Sequence, residues 1–449
     1  MSLLASLPPS EAYQVAGSGA LPSAFAVSEL ATASFAAVGH ELGRFMQATN
    51  LVSLPPKAMV DHRLASLWFG YSFKPEGWDM PSLWDPIAGD YRGADGWIRL
   101  HTNLPHHREA ALKVLATEGD RAAVTQAIKS WSVSNLETDI VAQGGVAAAM
   151  RSRAEWLDHP QGRAVTRDPL IGWHGPRRIT LRDRLQARAD RPLAGLRVLD
   201  MTRVLAGPVS TRTLAGFGAE VLRIDPPGWD EPGVIPDISL GKRCAYLDLK
   251  PPAGLEKLQE LLAQADVFVH GYRPGALDAL GLTKEVRDTV APNRVEVTLD
   301  AYGWQGPWAT RRGFDSLVQM SAGIADAGRV WAGADKPTPL PVQALDHATG
   351  YLMAAAVLSA LTEAALGHSI MDGRLSLART AELLASLAKS ETGDSFTAAE
   401  PGDYASRSEE SGWGPGKRLK PALSVGEARM HWPIPASRLG TSDPTWQTT

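Results

Sequence analysis

Asp346 is the residue whose position in this sequence best suits covalent chemistry. It lies in LPVQALDHATGYLMAAAVLSAL, where an apolar run leads into the aspartate and a nearly all-apolar helix is predicted to follow. A helix that is apolar on most faces is buried, and N–H groups at a helix N-terminus stabilise negative charge. The pattern fits a carboxylate nucleophile, but on its own it favours an ordinary helix N-cap, a position that Asp prefers.

Basic residues recur at the ends of strands predicted in the second half of the chain: Lys242 and Arg243, Arg273, and Arg311 and Arg312. Each set alone is typical of a solvated surface. However, corresponding ends of the strands in one sheet lie along the same edge of that sheet. Lys and Arg side chains gathered at such an edge are suited to binding phosphate groups. Tyr272, beside Arg273, has a ring that can stack on an adenine or pack against the rim. The spacing therefore favours a phosphate-bearing ligand here and leaves plain surface charge as the alternative.

The turn RVLAGP, between a predicted strand and helix, is a candidate ligand site. Ligands bind at the carboxyl ends of strands in open α/β sheets. Gly207 permits close backbone approach, Pro208 suits the first turn of a helix, and that helix N-terminus can bind phosphate. Asp225 stands about where a dinucleotide fold places its ribose-binding acid, so a nicotinamide oxidoreductase is a rival. The turn lacks G-x-G-x-x-G, and a plain structural turn stays open.

Motifs for other chemistries are missing from the sequence. It has no G-x-S-x-G elbow and no Walker loop. It also has no H-E-x-x-H and no cysteine pair, and the adjacent His106 and His107 point in different directions. We therefore predict no metal and no tightly bound cofactor. Cys244 is the single cysteine, so no intrachain disulfide is possible, and its alternating run favours a small buried residue.

Two blocks of the chain must position these residues. Residues 190–392 alternate short apolar strands with helices, which predicts an α/β fold with a Rossmann-like parallel sheet and right-handed crossovers. Residues 1–180 have weaker strand content and predict a smaller α+β domain with an N-terminal helix over 27–47. Residues 172–192 predict a linker, and residues 393–449 predict a second linker and an irregular C-terminal tail.

Length and charge narrow the classes of function. The 449 residues carry a formal net charge of -4, which gives no reason to expect a nucleic acid or an anionic membrane as partner. The N-terminus lacks the basic start and apolar core of a signal peptide. The longest apolar stretch, residues 351–366, contains Thr362 and Glu363 and is too short for a membrane span. We therefore expect a soluble, cytoplasmic protein.

The second block resembles the class III CoA transferases, the family that includes formyl-CoA and carnitinyl-CoA transferases and the α-methylacyl-CoA racemases. The resemblance runs in fixed order through LAGLRVLDMTRVLAGPVSTRTLAGFGAEVLRIDPP, LGKRCAYLDLK, ADVFVHGYRPGALDALGL, AYGWQGPWATRRGFDSLVQMSAG and LPVQALDHATGYLMAAAVLSAL. It implies an enzyme that moves CoA from an acyl-CoA to a small carboxylic acid, with Asp346 as the catalytic aspartate. Asp346 would form a mixed anhydride and then an aspartyl-CoA thioester.

The resemblance also implies a CoA site and a choice between two reactions. The residues that match the CoA site of the family are Leu205, Ala206, Lys242, Arg243, Leu247, Gly271, Tyr272, Arg273 and Arg312. Pro226 stands where many relatives have a basic residue. The racemase branch needs a proton-transferring histidine in a G-H-D context, but this chain has Phe314 followed by Asp315. His347 should point about 100° away from Asp346 on a helix. Transfer is therefore predicted over racemisation, with a non-catalytic CoA-binding protein as a further alternative.

The order of the blocks is unusual for the family. Residues 1–180 resemble its small domain in DGWIRLHTNLPHHREAALKVLA and AAAMRSRAEWLDHPQGRA, but in the family the catalytic half comes first. The chain therefore has a permuted or partly duplicated domain order. Family members form interlocked dimers, so the resemblance implies a homodimer and leaves open whether this order still interlocks.

Overall fold

The computed structural model describes residues 2–182, 184–389, 396 and 398–447. The strands are β1 Tyr13–Ala16, β2 Ala58–Asp61, β3 Phe73–Pro75, β4 Gly89–Arg92, β5 Trp97–Leu100, β6 Ala147–Ala149, β7 Gly172–Arg177, β8 Arg197–Met201, β9 Glu220–Asp225, β10 Lys242–Tyr246, β11 Val267–His270, β12 Val295–Asp300, β13 Ile370–Ser376, β14 Glu409–Ser411, β15 Gly414–Arg418, β16 Leu423–Val425 and β17 Ala428–Arg429. The helices are α1 Val27–Ala48, α2 His62–Leu67, α3 Pro105–Leu115, α4 Arg121–Ile128, α5 Val133–Ala142, α6 Arg153–Asp158, α7 Pro160–Val165, α8 Ala206–Gly216, α9 Ile235–Ile238, α10 Pro252–Gln264, α11 Lys284–Val290, α12 Asp315–Ser321, α13 Ile324–Ala332, α14 Ala344–Ala365 and α15 Leu377–Ser386.

The largest sheet has the strand order β10-β9-β8-β11-β12-β13-β7. Strands β8 to β13 are parallel to one another, and they are largely buried because helices cover both faces of the sheet. Among the six parallel strands, the chain starts with β8 in the middle, moves to the β10 edge and then adds β11, β12 and β13 on the other side, where β7 forms the antiparallel edge. This is the strand order of a doubly wound nucleotide-binding fold, and it confirms the predicted α/β fold with its Rossmann-like parallel sheet.

Helix α14 is the central helix of the main core. It packs against α1 and α8 and against strands β12 and β13. The contact with α8 is so close that a Cβ at Gly350 would lie 2.4 Å from the carbonyl oxygen of Ala206. By length and composition α14 could cross a membrane, but 94% of its most apolar window is buried inside the protein. Its uniform apolarity is therefore the mark of a core helix, and it seats Asp346 deep in the molecule.

A smaller α+β lobe lies before the main sheet in the chain. Strands β4, β5 and β6 form an antiparallel sheet, and α3, α4 and α5 enclose a separate apolar cluster with it. Arg311, in the loop after β12, joins the lobe to the main domain. Its guanidinium donates hydrogen bonds to the Glu137 carboxylate and to the Ala147 carbonyl oxygen, each at 2.8 Å. This ion pair fixes the lobe beside the carboxyl ends of the main strands.

Two segments predicted to be irregular contain ordered strands, although residues 393–395, 397 and 448–449 of the second segment lie outside the described residues. Residues 172–192 were expected to form a linker, but Gly172–Arg177 is β7, antiparallel to β13 at the sheet edge. An edge strand needs a partner on one side only, and it therefore tolerates Pro176. Residues 393–449 were expected to form a linker and an irregular tail. Instead β15 pairs with β3, and β16 pairs with β2. The C-terminal segment thus completes sheets that the N-terminal segment begins.

Candidate functional site

Asp346 lies in the first turn of α14, in the wall between two cavities. The residue is 8% exposed. The N-cap of the helix is Gln343, so the interpretation of Asp346 as an ordinary N-cap is wrong. Instead, the backbone N–H of Ala206, the first residue of α8, faces the carboxylate and acts to lower its pKa. The N-termini of two helices therefore meet at one carboxylate, and both favour negative charge there.

Asp315, the first residue of α12, caps α14 from outside. Its Oδ2 accepts hydrogen bonds from the backbone N–H groups of Leu345 at 2.8 Å and Asp346 at 2.9 Å. Its Oδ1 accepts a hydrogen bond from the Gln319 side chain. The Gln319 Oε1 in turn accepts a hydrogen bond from the backbone N–H of Leu340 at 2.7 Å. This chain of bonds fixes the start of α14 and with it the position of Asp346.

The carboxyl groups of Asp346 and Asp315 change each other's pKa. Burial, and after it the charge of Asp315, raise the pKa of Asp346 well above its ordinary value, while the Ala206 N–H opposes the rise. Burial also raises the pKa of Asp315 to about 6, against the hydrogen bonds that it accepts. Because those bonds stabilise the ionised form of Asp315, Asp346 is the group that takes up the first proton as the pH falls.

This pair predicts a specific change in pH dependence. If Asp346 is the nucleophile predicted from the sequence, it reacts only when ionised, and the acid limb of the pH–rate profile follows its raised pKa. In Asp315→Asn the neighbouring charge is gone, and the amide oxygen can still accept from the two backbone N–H groups. The limb is therefore expected to move to lower pH, measured as kcat/KM for acyl-CoA against pH. An acid limb that stays in place would show that Asp315 acts only as a cap.

The turn predicted as a ligand site contributes Arg203, Val204 and Ala206 to a cavity wall, and its glycine has a packing role. A Cβ at Gly207 would lie 2.3 Å from the Thr202 side chain, so glycine is required for α8 to pack against the end of β8. The Ala206 N–H points to Asp346. The turn therefore serves the carboxylate and the packing of α8.

The first cavity, of about 560 Å³, lies at the carboxyl ends of the parallel strands. The predicted CoA-site residues that line it are Ala206, Leu247, Gly271, Tyr272, Arg273 and Arg312, together with Asp346. Leu205 lines the second cavity instead. Arg273 is exposed at the mouth, and burial together with its charge lowers the pKa of Arg312. The two cations lie close enough to repel each other, which an anionic ligand would relieve.

Lys242 and Arg243 do not reach this cavity, which corrects the prediction that they line the CoA site. Lys242 is fully buried, and its Nζ donates to Asp200 Oδ2 at 3.0 Å and to the Pro208 carbonyl oxygen at 2.8 Å. Arg243 donates to the carbonyl oxygen of Thr445 in the C-terminal segment. Both residues begin β10, at the opposite end of the strand from the cavity. Their roles are therefore structural.

Arg203 was missed by the sequence interpretation. Its guanidinium lies 4.5 Å from the centre of the Trp229 ring and 5.9 Å from that of Tyr272, and it donates to the Tyr272 hydroxyl at 3.2 Å. All three residues line the first cavity. The available signal was position, since Arg203 follows β8 by two residues at the carboxyl edge of the sheet. A cation held between two aromatic rings offers both charge and a stacking surface to a nucleotide.

The second cavity, of about 260 Å³, shares Leu104, Val204, Phe314 and Asp346 with the first. His101, from the lobe, lines it and stacks on Phe314 with ring centroids 3.8 Å apart. Burial lowers the pKa of His101 to about 3, so its imidazole is neutral at physiological pH. His347, as predicted, lines neither cavity in the described residues and instead stacks on Phe69.

Val204 holds a strained backbone between the cavities. Its φ of 61° is a genuine outlier for a β-branched residue. The Val204 N–H donates to Glu231 Oε2 at 2.9 Å, which stabilises this conformation. A strained backbone conformation persists only where surrounding contacts hold it in place, and such conformations are common at functional sites.

A family model described as CoA-transferase family III matches residues 193–400. The succinyl-CoA:glutarate CoA-transferase of Mus musculus is 33% identical over 218 residues, covering 45% of this chain and 49% of its own length. The formyl-CoA:oxalate CoA-transferase of Bradyrhizobium diazoefficiens is 31% identical over 209 residues, covering 42% of this chain and 48% of its own length. The chain thus spans about half the length of these two curated relatives.

Solved structures also resemble this chain in part. A crystal structure of Rv3272 from Mycobacterium tuberculosis is 30% identical, with a TM-score of 0.39, over 43% of this chain and 57% of the other. A CAIB/BAIF family protein from Brucella suis is 25% identical, with a TM-score of 0.38, over 50% of this chain and 65% of the other.

Proposed function

We propose that this chain, whose residues 193–400 match the family model of CoA-transferase family III, moves CoA from an acyl-CoA thioester to a carboxylic acid by way of Asp346. The observation that carries this proposal is the position of Asp346. A buried carboxylate, faced by two helix N-termini, lies where a nucleotide-sized cavity meets a smaller one.

The first half-reaction transfers CoA to the enzyme. The ionised Asp346 attacks the carbonyl carbon of the donor thioester, a C–O bond forms, and the C–S bond breaks to release CoA thiolate. The product is a mixed anhydride between Asp346 and the acyl group. The thiolate then attacks the aspartyl carbonyl carbon and expels the acyl group as its carboxylate. Asp346 is left as an aspartyl-CoA thioester, which divides one difficult exchange into easier steps.

The second half-reaction reverses this sequence with the acceptor acid. The acceptor carboxylate attacks the aspartyl carbonyl carbon, releases CoA thiolate and forms a second mixed anhydride. The thiolate attacks the acceptor carbonyl carbon, which gives the new acyl-CoA and frees Asp346. Each step exchanges one C–O bond and one C–S bond, so no oxidant, metal or net proton is required.

The surroundings of Asp346 support these steps. Burial weakens the solvation of its carboxylate and makes the ionised group more reactive. The Ala206 N–H faces the carboxyl group, and in this mechanism it would stabilise the oxygen that becomes negative when the aspartyl carbonyl is attacked. Asp315 keeps α14 in position through Leu345 and Asp346. Arg203, Arg273 and Arg312 line the larger cavity, where the phosphates and adenine of CoA would bind.

The low basicity of His101 argues against the racemase alternative. Racemisation needs bases on both faces of the α-carbon. His101 lines the smaller cavity with Asp346, but an imidazole with a pKa of about 3 is a weak base. Incubation with a 2-methylacyl-CoA in deuterium oxide is therefore expected to leave the α-carbon protonated. Rapid deuterium uptake that is lost in Asp346→Asn would instead assign the protein to the racemase branch.

The direct test is exchange of label between acyl-CoA donors and free acids, combined with calorimetric titration of CoA and NADH. Ping-pong kinetics and binding of CoA without binding of NADH are expected. Binding of CoA with no exchange over a broad acid panel would support a non-catalytic CoA-binding protein. Binding of NADH alone would revive the oxidoreductase interpretation. A homodimer and a cytoplasmic location stay predictions, checked by light scattering and cell fractionation.

A further inference from the structure

The smaller cavity adjoins the larger cavity at Asp346 and shares three other wall residues with it. If CoA occupies the larger cavity, an acyl group bonded to the Asp346 carboxyl would extend into the smaller cavity, because Asp346 lines both. The lining of this smaller cavity therefore selects the body of the transferred acid.

Much of this lining is apolar. These apolar side chains come from the segment before β4, the strained turn after β8, and the residues just before α9 and α12. They are Leu83, Trp84, Val204, Leu205, Val234 and Phe314. Such a surface favours a hydrocarbon body of the substrate.

The ionisable groups in the lining, apart from His101, are acids, and burial raises the pKa of Glu231 as it does those of Asp315 and Asp346. Asp85, Asp230 and Glu231 line the cavity in addition to Asp315 and Asp346. Among the residues that the structure describes, no lysine or arginine lines it. A second carboxylate on the substrate would therefore enter a region with several acids and no cation to pair with it.

The cations nearest to these acids are already paired. Arg223 Nη2 lies 3.8 Å from Glu231 Oε2 and is fully buried. Arg108 Nε lies 3.5 Å from Asp85 Oδ2 and donates through Nη2 to the Gly119 carbonyl oxygen. Arg99 lies over the Trp84 ring and pairs with Asp90 at 2.7 Å. His101 is neutral at physiological pH, as described above. None of these groups is placed to bind a substrate carboxylate.

We propose that the acid exchanged at this site is a monocarboxylic acid with an uncharged, largely apolar body, and that dicarboxylic acids are excluded. This rests on the proposed function, because the reacting carboxylate must meet Asp346. It separates this chain from the two curated relatives described above, which are named for glutarate and oxalate.

The test compares acceptors matched in length, butyrate with succinate and valerate with glutarate, using acetyl-CoA, butyryl-CoA and succinyl-CoA as donors. The monocarboxylate is expected to have a kcat/KM at least about 100-fold larger in each pair, because the second charge would be buried without a partner. Transfer that prefers succinate or glutarate would overturn the substrate class and leave the proposed function intact. Transfer to none of the acids from any donor would overturn both.

A variant that adds a cation gives an independent test. Ser82 is exposed at the cavity rim, and its hydroxyl bonds only within its own turn. Ser82→Arg is expected to raise the succinate-to-butyrate ratio of kcat/KM about tenfold, whereas the matched Ser82→Gln should leave the ratio unchanged. Equal ratios in the two variants, with butyrate transfer retained, would show that charge in this cavity does not select the substrate.

Discussion

Asp346→Asn is expected to lose at least about 10³-fold in kcat for CoA transfer, because an amide cannot form the acyl anhydride. The substitution changes little in size, and the amide oxygen can still face the backbone N–H of Ala206. The fold and the affinity for CoA should therefore survive. Exchange rates and calorimetric CoA affinity, measured on one preparation, separate loss of chemistry from loss of structure.

Asp158→Asn is the matched control for this variant. The Asp158 side chain is 90% exposed and contacts Arg163, outside both cavities, so wild-type transfer is expected. Hydroxylamine added during turnover should convert Asp346 of the wild-type protein to a hydroxamate that peptide mass spectrometry can locate. Full activity in Asp346→Asn, or a hydroxamate on a different residue, would show that Asp346 does not carry the acyl group.

Lys242→Met is expected to lower the free energy of unfolding by about 3–5 kcal/mol, since it leaves the buried Asp200 carboxylate without its cation. Both side chains of this pair are fully buried, at 3.0 Å from Nζ to Oδ2. Methionine fills a similar volume, so the decrease in the free energy of unfolding would result from the missing charge and not from a cavity. The measurement is chemical or thermal unfolding, compared with CoA affinity at a temperature where both proteins are folded.

Arg243→Met provides the comparison for that experiment. Arg243 is half-buried, and its nearest acid, Glu220, lies 3.9 Å away. A loss below about 1 kcal/mol is expected, with CoA affinity unchanged in both variants. If Lys242→Met kept its stability but bound CoA weakly, the original expectation of a direct CoA contact would stand.

The contrast between Lys242 and Arg273 shows what the sequence can predict about the site. Both are basic residues at the end of a predicted strand, but Lys242 begins β10 whereas Arg273 follows β11. Only the carboxyl ends of parallel strands face the ligand side of such a sheet. Strand direction was available from the chain order, so this error was avoidable. Arg203 could have been found by the same argument.

Other features lay beyond the sequence because they depend on distant contacts. The nearly continuous apolar run of α14 predicted a buried helix. The residue that caps this helix, Asp315, lies 31 positions before Asp346, so nothing in the sequence indicated the contact. The strands of the C-terminal segment are two to five residues long, as short as Ala428–Arg429. Segments of this length show too little alternation to be recognised, and their partners in β2 and β3 supply the order.

The pairing of β15 with β3 and of β16 with β2 also has a consequence for synthesis of the protein. The Trp68 indole donates to the carbonyl oxygen of Lys420, 352 positions later. At translation rates of about 5–20 residues per second, roughly 20–70 s pass before that partner leaves the ribosome. Throughout this interval β2 and β3 have open edges, and apolar surface nearby is uncovered. We therefore expect the nascent chain to depend on chaperones that shield unpaired strands until translation has passed residues 414–425, within the last tenth of the sequence.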